Sequence, residues 1–319
     1  MQAVILAAGK GTRLHPITQH RPKAMLPILG KPIVERILDQ IAPNGIDDFI
    51  LVIGPEDEGL LRHSQERAGT WGSIRFAFQE ERLGSAQALS RAAALIKEDF
   101  ILSACDNLTS KEHIGRMLEA WESGGRQGAL LSIMAADPQR ISQLGIVEME
   151  GRRVKHIVEK PRPDQAPSNI ASLPLYCFST RILDLLPKVP LSARGEYELP
   201  SAIQLLIDEG GQVTGVNTER RLTLTNADDL LRINLEYLQH SDEALQVVPE
   251  QVGANTRLVP RLCIEPGTVI GGDCTIGPNV YIEPNCQIGD RVRVRDAVIL
   301  RHSQVPDDSE INQRVYYEP

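Results

Sequence analysis

The chain has 319 residues, of which 42% are hydrophobic, so it can bury the core of one large domain or of two. Its formal net charge of −8 argues against a general nucleic-acid binder, which needs a basic face. No apolar run reaches the length of a membrane span and no export signal precedes the first predicted strand, so we expect a cytoplasmic protein that does not bind membranes. The five cysteines are scattered without a C-x-x-C pair, and we expect them to be buried and reduced.

A short apolar strand at residues 4–6 leads into a turn that contains two glycines, Gly9 and Gly11. Glycine lets a backbone approach a ligand closely and adopt positive φ, and N–H groups exposed in such a turn can hold phosphate oxygens. Arg13 and Lys23 add a guanidinium fork and a movable point charge, both suited to phosphate. Together these residues predict a triphosphate-binding site. The alternative is an ordinary turn with cations on the protein surface.

Two other phosphate-binding motifs do not match this turn. The Walker loop needs Gly-Lys followed by Ser or Thr, whereas Gly11 follows Lys10, and Leu14 stands where the dinucleotide fingerprint needs a third glycine. The full stretch over residues 6–35, LAAGKGTRLHPITQHRPKAMLPILGKPIVE, resembles the signature of the sugar-1-phosphate nucleotidylyltransferases, such as glucose-1-phosphate thymidylyltransferase. It is also similar to the N-terminal half of the bifunctional N-acetylglucosamine-1-phosphate uridylyltransferases. The resemblance covers most of residues 1–240.

Strands and helices alternate over the first 106 residues. The patterns predict strands at 4–6, 49–54, 74–79 and 100–106, and helices at 33–42, 56–68 and 84–96. This alternation predicts an α/β fold with a doubly wound, mostly parallel sheet, whose ligands bind beyond the carboxyl ends of the strands. Gly9, Gln79 and Asp106 all fall at such ends, which favours one shared site.

The pattern changes after residue 125. Strands are predicted at 129–135, 145–150, 154–160 and 172–178, and this part would form the acceptor side of the cleft. Two amphipathic helices follow at 198–210 and 226–238, with Asn226 as the N-cap of the second.

A period of six residues begins at residue 258 and runs through eight hexads, from LVPRLC to LRHSQV. An aliphatic residue opens each hexad, which is typical of a short left-handed parallel β-helix with three hexads per coil and here fewer than three coils. An irregular β tail is the alternative. We therefore divide the chain into a nucleotidyltransferase catalytic domain at 1–240, a linker at 241–257, the β-helix at 258–306 and a tail at 307–319.

The resemblance implies nucleotidyl transfer from a nucleoside triphosphate to a sugar 1-phosphate, with Mg²⁺ as cofactor and pyrophosphate as the second product. Arg13 would hold the β- and γ-phosphates, Lys23 the α-phosphate, and Asp106 the Mg²⁺. These three are the expected catalytic residues. The alternative for Asp106 is a helix cap that follows a strand.

The resemblance also implies which residues bind the nucleotide. Gln79 matches a pyrimidine-reading glutamine and Gly84 a glycine that lets the base approach, which favours UTP or dTTP over a purine nucleotide. A solvated strand end is the alternative for Gln79. The full expected set comprises Leu6, Ala7, Ala8, Gly9, Gly11, Thr12, Arg13, Lys23, Gln79, Gly84 and Asp106.

On the acceptor side, Glu159 and Lys160 match a Glu-Lys-Pro motif that binds sugar hydroxyls and the sugar phosphate, and a surface ion pair is the alternative. The expected sugar-phosphate-binding residues are Gly145, Glu159, Lys160, Asn169 and Tyr176. The segment at 194–198 resembles one that closes the sugar pocket. β-Helices in this family often pack as trimers, so a homo-oligomer is expected, a trimer first and a dimer or tetramer otherwise. The short β-helix holds His302 as its only histidine, and we expect no acetyltransferase activity.

Two positions depart from the family pattern. Ser172, Leu173 and Pro174 replace an Asn-Ala-Gly before the strand tyrosine, and Thr223 stands where the family has the second metal-binding Asp. A neutral hydroxyl is a poor ligand for Mg²⁺. Three hypotheses therefore stay open: an active pyrimidine sugar-nucleotide transferase, a non-catalytic nucleotide-binding paralogue, and a cytidylyltransferase that acts on a non-sugar phosphate or phosphonate.

Overall fold

The computed structural model describes residues 1–240 and 248–318, so the first residues of the predicted linker lie outside the described part. The chain forms two compact units. The first comprises Met1–Lys10, Pro22–Ala24 and Val34–Arg221, and the second comprises Gly11–Arg21, Met25–Ile33 and Leu222–Pro319.

The α-helices are α1 Ile33–Ile41, α2 Glu58–Glu66, α3 Ala68–Trp71, α4 Ser85–Ala92, α5 Lys111–Ser123, α6 Arg181–Leu185, α7 Leu199–Asp208 and α8 Ala227–His240. The strands up to residue 223 are β1 Gln2–Leu6, β2 Pro27–Ile28, β3 Lys31–Pro32, β4 Asp48–Ile53, β5 Ser73–Phe78, β6 Phe100–Ala104, β7 Asn107–Leu108, β8 Ala129–Ala135, β9 Gly145–Glu150, β10 Arg153–Glu159, β11 Ile170–Phe178, β12 Val213–Asn217 and β13 Leu222–Thr223. No described helix has both the length and the apolar character needed to cross a lipid bilayer.

A nine-stranded sheet in the order β5-β4-β1-β6-β11-β8-β12-β10-β9 forms the centre of the first unit. The strands β5, β4, β1 and β6 run parallel, as predicted. The strands β1, β4 and β6 are almost entirely buried, and Phe49, Ile50 and Leu51 of β4 are 0% exposed, which explains why these strands read as continuous apolar runs. The edge strand β5 is mostly half-buried or exposed.

The rest of the sheet is mixed, so the prediction of a mostly parallel sheet was wrong. The strand β11 runs antiparallel to both β6 and β8, and β10 runs antiparallel to β9 and β12. A short turn joins β9 directly to β10, and a hairpin connection of this kind imposes an antiparallel pair. Pro174 lies inside β11, where the register with β8 shifts between Ser172 and Tyr176, because a proline N–H is missing from the ladder.

The C-terminal part of the second unit consists of three four-stranded parallel sheets. Their strands are β14 Gln251–Val252, β15 Arg257–Leu258, β16 Leu262–Ile264, β17 Val269–Ile270, β18 Thr275–Ile276, β19 Val280–Ile282, β20 Gln287–Ile288, β21 Arg293–Arg295, β22 Ala297–Ile299, β23 Gln304–Val305, β24 Glu310–Asn312 and β25 Val315–Tyr316. We call these strands the C-terminal sheets. The chain passes through the three sheets in turn, as a β-helix requires.

The predicted period of six residues is the period of inward-facing side chains in these sheets. Ile264, Ile270, Ile276 and Ile282 are all at most 1% exposed and belong to one apolar cluster. Left-handed backbone recurs with the same spacing from residue 255 to residue 291, mostly at Asn, Asp and Gly, which tolerate positive φ at the corners. Each sheet contains four strands rather than fewer than three, because pairing continues through β14 before the hexads and through β24 and β25 after them.

Candidate active site

The expected nucleotide-binding backbone lies at the carboxyl end of β1. Ala7 N–H donates to the Val52 carbonyl at 2.7 Å, and Cys105 N–H donates to the Leu6 carbonyl at 3.0 Å. The backbone after β1 is thereby fixed between the ends of β4 and β6. Ala7 and Ala8 are buried, whereas Gly9 is exposed beyond them.

The two glycines of the turn differ in what they require. Gly11 adopts φ 64° and ψ 37°, a left-handed conformation that favours glycine, just before a short 3₁₀ helix at Thr12–Leu14. A Cβ placed on Gly9 would meet no atom of the described chain within 4 Å. Internal packing therefore does not demand a glycine at residue 9. Thr12 and Arg13 lie in the second unit with exposed side chains.

Lys23 and Asp106 form an ion pair within the first unit, with Lys23 Nζ bonded to Asp106 Oδ2. Their side chains are 13% and 24% exposed, so both groups stay accessible to a small ligand. Burial raises the pKa of the neighbouring Cys105 to about 12, so this thiol remains neutral beside the pair. The structure thus brings together two of the three expected catalytic residues.

Arg82 contacts the expected nucleotide-binding backbone, and the sequence analysis did not predict this contact. Its Nε donates to the Ala8 carbonyl and its Nη2 pairs with Glu56, while Asp57 accepts a 3.0 Å bond from Gly54 N–H. These contacts connect the segments that follow β1, β4 and β5. Arg82 is 74 residues from Ala8, and no local motif signals a contact over that separation.

Gln79 is 5% exposed, which does not support the solvated alternative. Its Nε2 donates to the Gly84 carbonyl at 3.1 Å and to Gln87 Oε1 at 2.6 Å. Gly84 has φ 110°, and a Cβ there would lie 2.4 Å from the Tyr197 carbonyl oxygen. Close approach of the Tyr197 backbone therefore requires a glycine at position 84, independently of any ligand.

The expected acceptor residues Gly145, Glu159 and Lys160 lie together. Gly145 pairs with Glu159 across the β9–β10 hairpin, and a Cβ on Gly145 would be 3.0 Å from Glu159 Oε2. Lys160 Nζ lies 3.3 Å from Glu159 Oε1, and the two side chains are 32% and 18% exposed. Burial raises the pKa of Glu159, although the Lys160 charge opposes this shift.

Lys160 has a strained backbone conformation. Its φ of 47° is left-handed, although it is not a glycine and precedes Pro161, and its N–H donates to the Leu144 carbonyl at 2.9 Å. Strain of this kind costs on the order of 1–3 kcal/mol and is concentrated at functional sites. The observation favours a binding role for Lys160 over an ordinary surface ion pair.

The segment at 194–198 joins the acceptor residues to the loop at 83–86. Arg194 pairs with Glu198 and lies 4.0 Å from Glu159 Oε1. Tyr197 N–H donates to the Leu83 carbonyl at 2.6 Å, and the Tyr197 carbonyl accepts from Ala86 N–H at 2.9 Å. The proposed base-reading loop and the proposed sugar-closing segment are thus hydrogen-bonded to each other.

Two other expected acceptor residues make different contacts. Tyr176 is 5% exposed, its hydroxyl accepts from Ser172 Oγ at 3.4 Å, and its ring centroid lies 5.4 Å from that of Phe178. Asn169 is exposed, and its carbonyl accepts from Ala136 N–H at 2.7 Å. Ser172 pairs with Gly145 across β11 and β9, so the Tyr176 hydroxyl contacts a neighbour of that expected acceptor residue, whereas the Asn169 contact leads to Ala136.

Asp106 is the carboxylate that the expected site offers to a cation. Among residues 1–240 and 248–318, no cluster of three or more His, Cys, Asp and Glu side chains could hold a metal ion. Thr223 is 6% exposed in β13 and belongs to the second unit. Mg²⁺ usually takes one or two protein carboxylates and completes its shell with substrate phosphates and water, so Asp106 alone fits a substrate-borne Mg²⁺.

Comparison with known proteins decides the family. The profile of the nucleotidyl transferase family matches residues 2–240, three quarters of the chain. The chain belongs to the nucleotidyl transferase family. A second profile, described as the GMPPB C-terminal domain, matches residues 258–315, which includes most of the C-terminal sheets. The family is one of enzymes, and Lys23 and Asp106 both lie within the residues that its profile matches.

Two individual relatives are similar to this chain over most of its length. The UTP–glucose-1-phosphate uridylyltransferase AglF of Haloferax volcanii is 33% identical over 253 residues, which cover 79% of this chain and 98% of that protein. A bifunctional protein GlmU of Methanococcus maripaludis is 31% identical over 272 residues, 85% of this chain, but the chain spans only 62% of that protein's length.

Solved structures support the fold. A UDP-glucose pyrophosphorylase in complex with UDP-glucose matches with a TM-score of 0.68 at 20% identity, over 75% of this chain and 99% of that chain. A putative glucose-1-phosphate thymidylyltransferase from Bacillus anthracis matches with a TM-score of 0.65 at 23% identity, over 73% of this chain and 94% of that chain. Both show that the mixed sheet has the fold of nucleotide-diphospho-sugar transferases.

Proposed function

We propose that the chain transfers a nucleotidyl group from a pyrimidine nucleoside triphosphate, UTP or dTTP first, to a sugar 1-phosphate. The observation that carries this proposal is the pair formed by Lys23 and Asp106 beyond the carboxyl ends of β1 and β6. A reaction between two phosphorylated substrates requires a cation that balances phosphate charge and a carboxylate that binds Mg²⁺, and this pair offers both. The family and the described uridylyltransferase relative support the same reaction class.

In the proposed reaction, a phosphate oxygen of the sugar 1-phosphate attacks the α-phosphorus of the triphosphate. A new P–O bond forms, the bond to the bridging oxygen breaks, and pyrophosphate leaves with the electron pair. The Lys23 ammonium balances negative charge on the α-phosphate, and Arg13 balances charge on the leaving pyrophosphate. The Leu6–Gly9 backbone lies against the base, and Gln79 reads its edge.

We assign Mg²⁺ binding to Asp106, because a hard cation prefers carboxylate oxygen and this carboxylate is partly exposed. The ion, when bound, supplies charge neutralisation on phosphate oxygens. Thr223 supplies no carboxylate, so the proposal relies on a single protein ligand.

On the acceptor side, we propose that Glu159 accepts hydrogen bonds from sugar hydroxyls and that Lys160 binds the sugar phosphate. Their proximity to Gly145 and Arg194 supports this assignment. Asn169 remains a proposed acceptor residue on the family resemblance alone, and the contact of Tyr176 with Ser172 beside Gly145 supports the proposal for Tyr176.

We further propose that the C-terminal sheets are a left-handed β-helix and that the chain assembles through them, as a trimer first. The domain limits of 1–240, 241–257 and 258–306 remain part of the proposal, although strands continue through 310–316, within the predicted tail. One histidine, His302, is present in residues 258–319, so we propose no acetyl transfer by this part of the chain.

Pyrophosphate release by the full chain, measured across UTP, dTTP, CTP, ATP and GTP with a panel of phosphorylated acceptors, tests the function. We expect release that requires Mg²⁺, a pyrimidine triphosphate and a sugar 1-phosphate together. Release only with CTP and a non-sugar phosphate or phosphonate would replace the proposal by the cytidylyltransferase alternative. Nucleotide binding without release in any combination would favour a non-catalytic paralogue, the alternative that the neutral Thr223 supports.

A further inference from the structure

The second unit combines the C-terminal sheets with two pieces of the N-terminal signature stretch. Gly11–Arg21 and Met25–Ile33 belong to it together with Leu222–Pro319. The first piece contains Arg13, and Lys23 lies in the three-residue segment between the two pieces. The polypeptide on both sides of Lys23 is therefore part of a compact unit that is built mainly from C-terminal residues.

Arg21, two residues before Lys23 in the chain, forms an ion pair with Glu283. Its Nη1 and Nη2 form a two-pronged ion pair with the Glu283 carboxylate at 2.8 and 2.9 Å. Its Nε donates to the Met25 carbonyl at 2.7 Å. The two side chains are only 12% and 4% exposed. The guanidinium thus connects Glu283 to both ends of the turn that contains Lys23.

Glu283 is itself firmly held in the C-terminal sheets. It follows β19, its N–H donates to the Ile299 carbonyl at 2.9 Å, and its carbonyl accepts from Thr268 Oγ1 at 3.2 Å. Its Oε2 also accepts from Arg301 N–H at 3.1 Å. Neighbouring coils fix the backbone on which this carboxylate stands, so the position of the carboxylate is set before any substrate binds.

A second set of contacts holds the hairpin that follows Lys23. Gly30 N–H donates to the Tyr281 hydroxyl at 3.1 Å, and that hydroxyl donates to Glu265. Leu29 N–H donates to Asn234 Oδ1 at 2.9 Å, and Asn234 Nδ2 donates to the Pro27 carbonyl at 3.0 Å. Tyr281 and Asn234 are both 0% exposed. The β2–β3 hairpin is thereby anchored to the same unit as Arg21.

We propose that Glu283 is a positioning residue for Lys23, acting through Arg21. The effect would reach Lys23 along the polypeptide, since Arg21 and Met25 flank it in the sequence and are joined by a hydrogen bond. The inference rests on the proposed function only in giving Lys23 its role at the α-phosphate. Small displacements of a group that stabilises a transition state can lower the rate about 100-fold, so the expected loss falls on kcat.

Glu283→Gln in the full chain is the first test, because it keeps the shape of the side chain and removes its charge. We expect kcat to fall by about 10- to 100-fold, with the KM for the triphosphate changed less than about threefold. Asp308→Asn is the matched control, since Asp308 makes an equivalent two-pronged pair with Arg291 at 2.7 and 2.9 Å on the exposed surface of the same sheets. The control should keep wild-type kcat, and wild-type kcat in Glu283→Gln would overturn the proposal.

A double variant, Arg21→Met with Glu283→Leu, separates positioning from stability. Replacing a buried ion pair by apolar residues of similar size often leaves stability unchanged, whereas removal of one partner does not. A positioning role predicts that the double variant folds and keeps the low kcat. Recovery of wild-type kcat in the double variant would show that the pair only stabilises the fold and would overturn the proposal.

Amide hydrogen exchange, followed by mass spectrometry, gives a readout that does not depend on the reaction. We expect Glu283→Gln to increase exchange over residues 22–30 at least tenfold and to leave β4 at the wild-type rate. Exchange over residues 22–30 that equals wild type would overturn the proposal. Failure of the proposed function would instead appear as a wild-type chain that releases no pyrophosphate, with the exchange result unaffected.

Discussion

Glu159 is a largely buried carboxylate beside two cations. Burial raises its pKa, so the folded chain holds the Glu159 proton more tightly than the unfolded chain does. The stability that this group contributes is complete below its unfolded pKa and is lost as the pH rises through the higher folded pKa. At pH 7 the charged form of Glu159 therefore destabilises the folded chain. We expect its role in acceptor binding to explain why a carboxylate stands at this position.

The first prediction is that Glu159→Gln raises the melting temperature at pH 7 and that this gain disappears as the pH falls through the folded pKa. The same change should raise the KM for the sugar phosphate, because the amide is a weaker acceptor for hydroxyls. Thermal denaturation between pH 4 and pH 8 checks the stability. Glu150→Gln is the control, since Lys155 lowers the pKa of that exposed carboxyl, and it should bring no gain. A lower melting temperature of Glu159→Gln at pH 7 would contradict the argument.

The second prediction concerns the carboxylate at Asp106 and the hydroxyl at Thr223. Asp106→Asn should remove most Mg²⁺-dependent turnover, by about 100-fold or more, because it removes the single expected protein ligand. Thr223→Asp should keep or raise turnover. Titration of activity with Mg²⁺ measures both effects.

Stability gives an independent check on Thr223→Asp. Thr223 is 6% exposed, so an uncompensated carboxylate there should lower the melting temperature without Mg²⁺ and regain it when Mg²⁺ binds. Loss of activity in Thr223→Asp, with a melting temperature that Mg²⁺ does not change, would show that the site is built around the neutral residue.

At the scale of elements, Gly84 and Gly9 should respond differently to the same substitution. Gly84→Ala forces a Cβ to within 2.4 Å of the Tyr197 carbonyl oxygen at a φ of 110°, so we expect a loss of about 1–3 kcal/mol or more in the free energy of unfolding. Gly9→Ala meets no described atom within 4 Å and should keep wild-type stability while weakening nucleotide binding. Urea denaturation and nucleotide titration measure the two quantities. Equal stability of the two variants would contradict the packing argument.

The parallel strands β4, β5, β1 and β6 could be predicted from sequence because they alternate with helices and because β1, β4 and β6 are almost entirely buried. The helix cap at Asn226 was also predictable, and its Oδ1 does accept from Asp229 N–H at 2.9 Å. The directions of β9, β10 and β11 were not predictable, since strand direction depends on which neighbours pair, and periodicity carries no such information. The β11 register shift at Pro174 likewise depends on β8.

The candidate site also contains residues that the sequence predicts and a contact that it does not predict. Lys23, Asp106, Glu159 and Lys160 could be selected because each belongs to a short motif that resembles a known family. Arg82 could not, because its contact to Ala8 depends on how the ends of two strands meet in space. Contacts between residues so far apart in the chain depend on the folded structure and leave no local pattern in the sequence.

At the scale of the whole molecule, the hexad period was the sequence signal with the most direct structural counterpart. It predicted the inward-facing aliphatic residues but underestimated the number of strands in each C-terminal sheet, because β14 and the strands after residue 306 lack clear hexads. The ion pair of Arg21 with Glu283 connects residues 262 positions apart, and no pattern along the chain indicates it.

The fourth prediction is a homo-oligomer formed through the C-terminal sheets. Light scattering of the full chain should give about three times the chain mass of 35.2 kDa. Oligomers of identical chains usually have closed cyclic symmetry, which is the physical reason to expect a cyclic assembly. A mass equal to that of one chain, over a range of concentrations, would contradict the prediction.

The central claim is that Arg13 and Lys23 carry the positive charge required for nucleotidyl transfer. Turnover of Arg13→Ala and Lys23→Ala at saturating UTP and glucose 1-phosphate, measured beside the melting temperature, tests this claim most directly. We predict that each variant loses at least about 100-fold in kcat, because each removes a cation from the developing phosphate charge, while the melting temperature stays close to wild type. Wild-type turnover in either variant at an unchanged melting temperature would contradict the account.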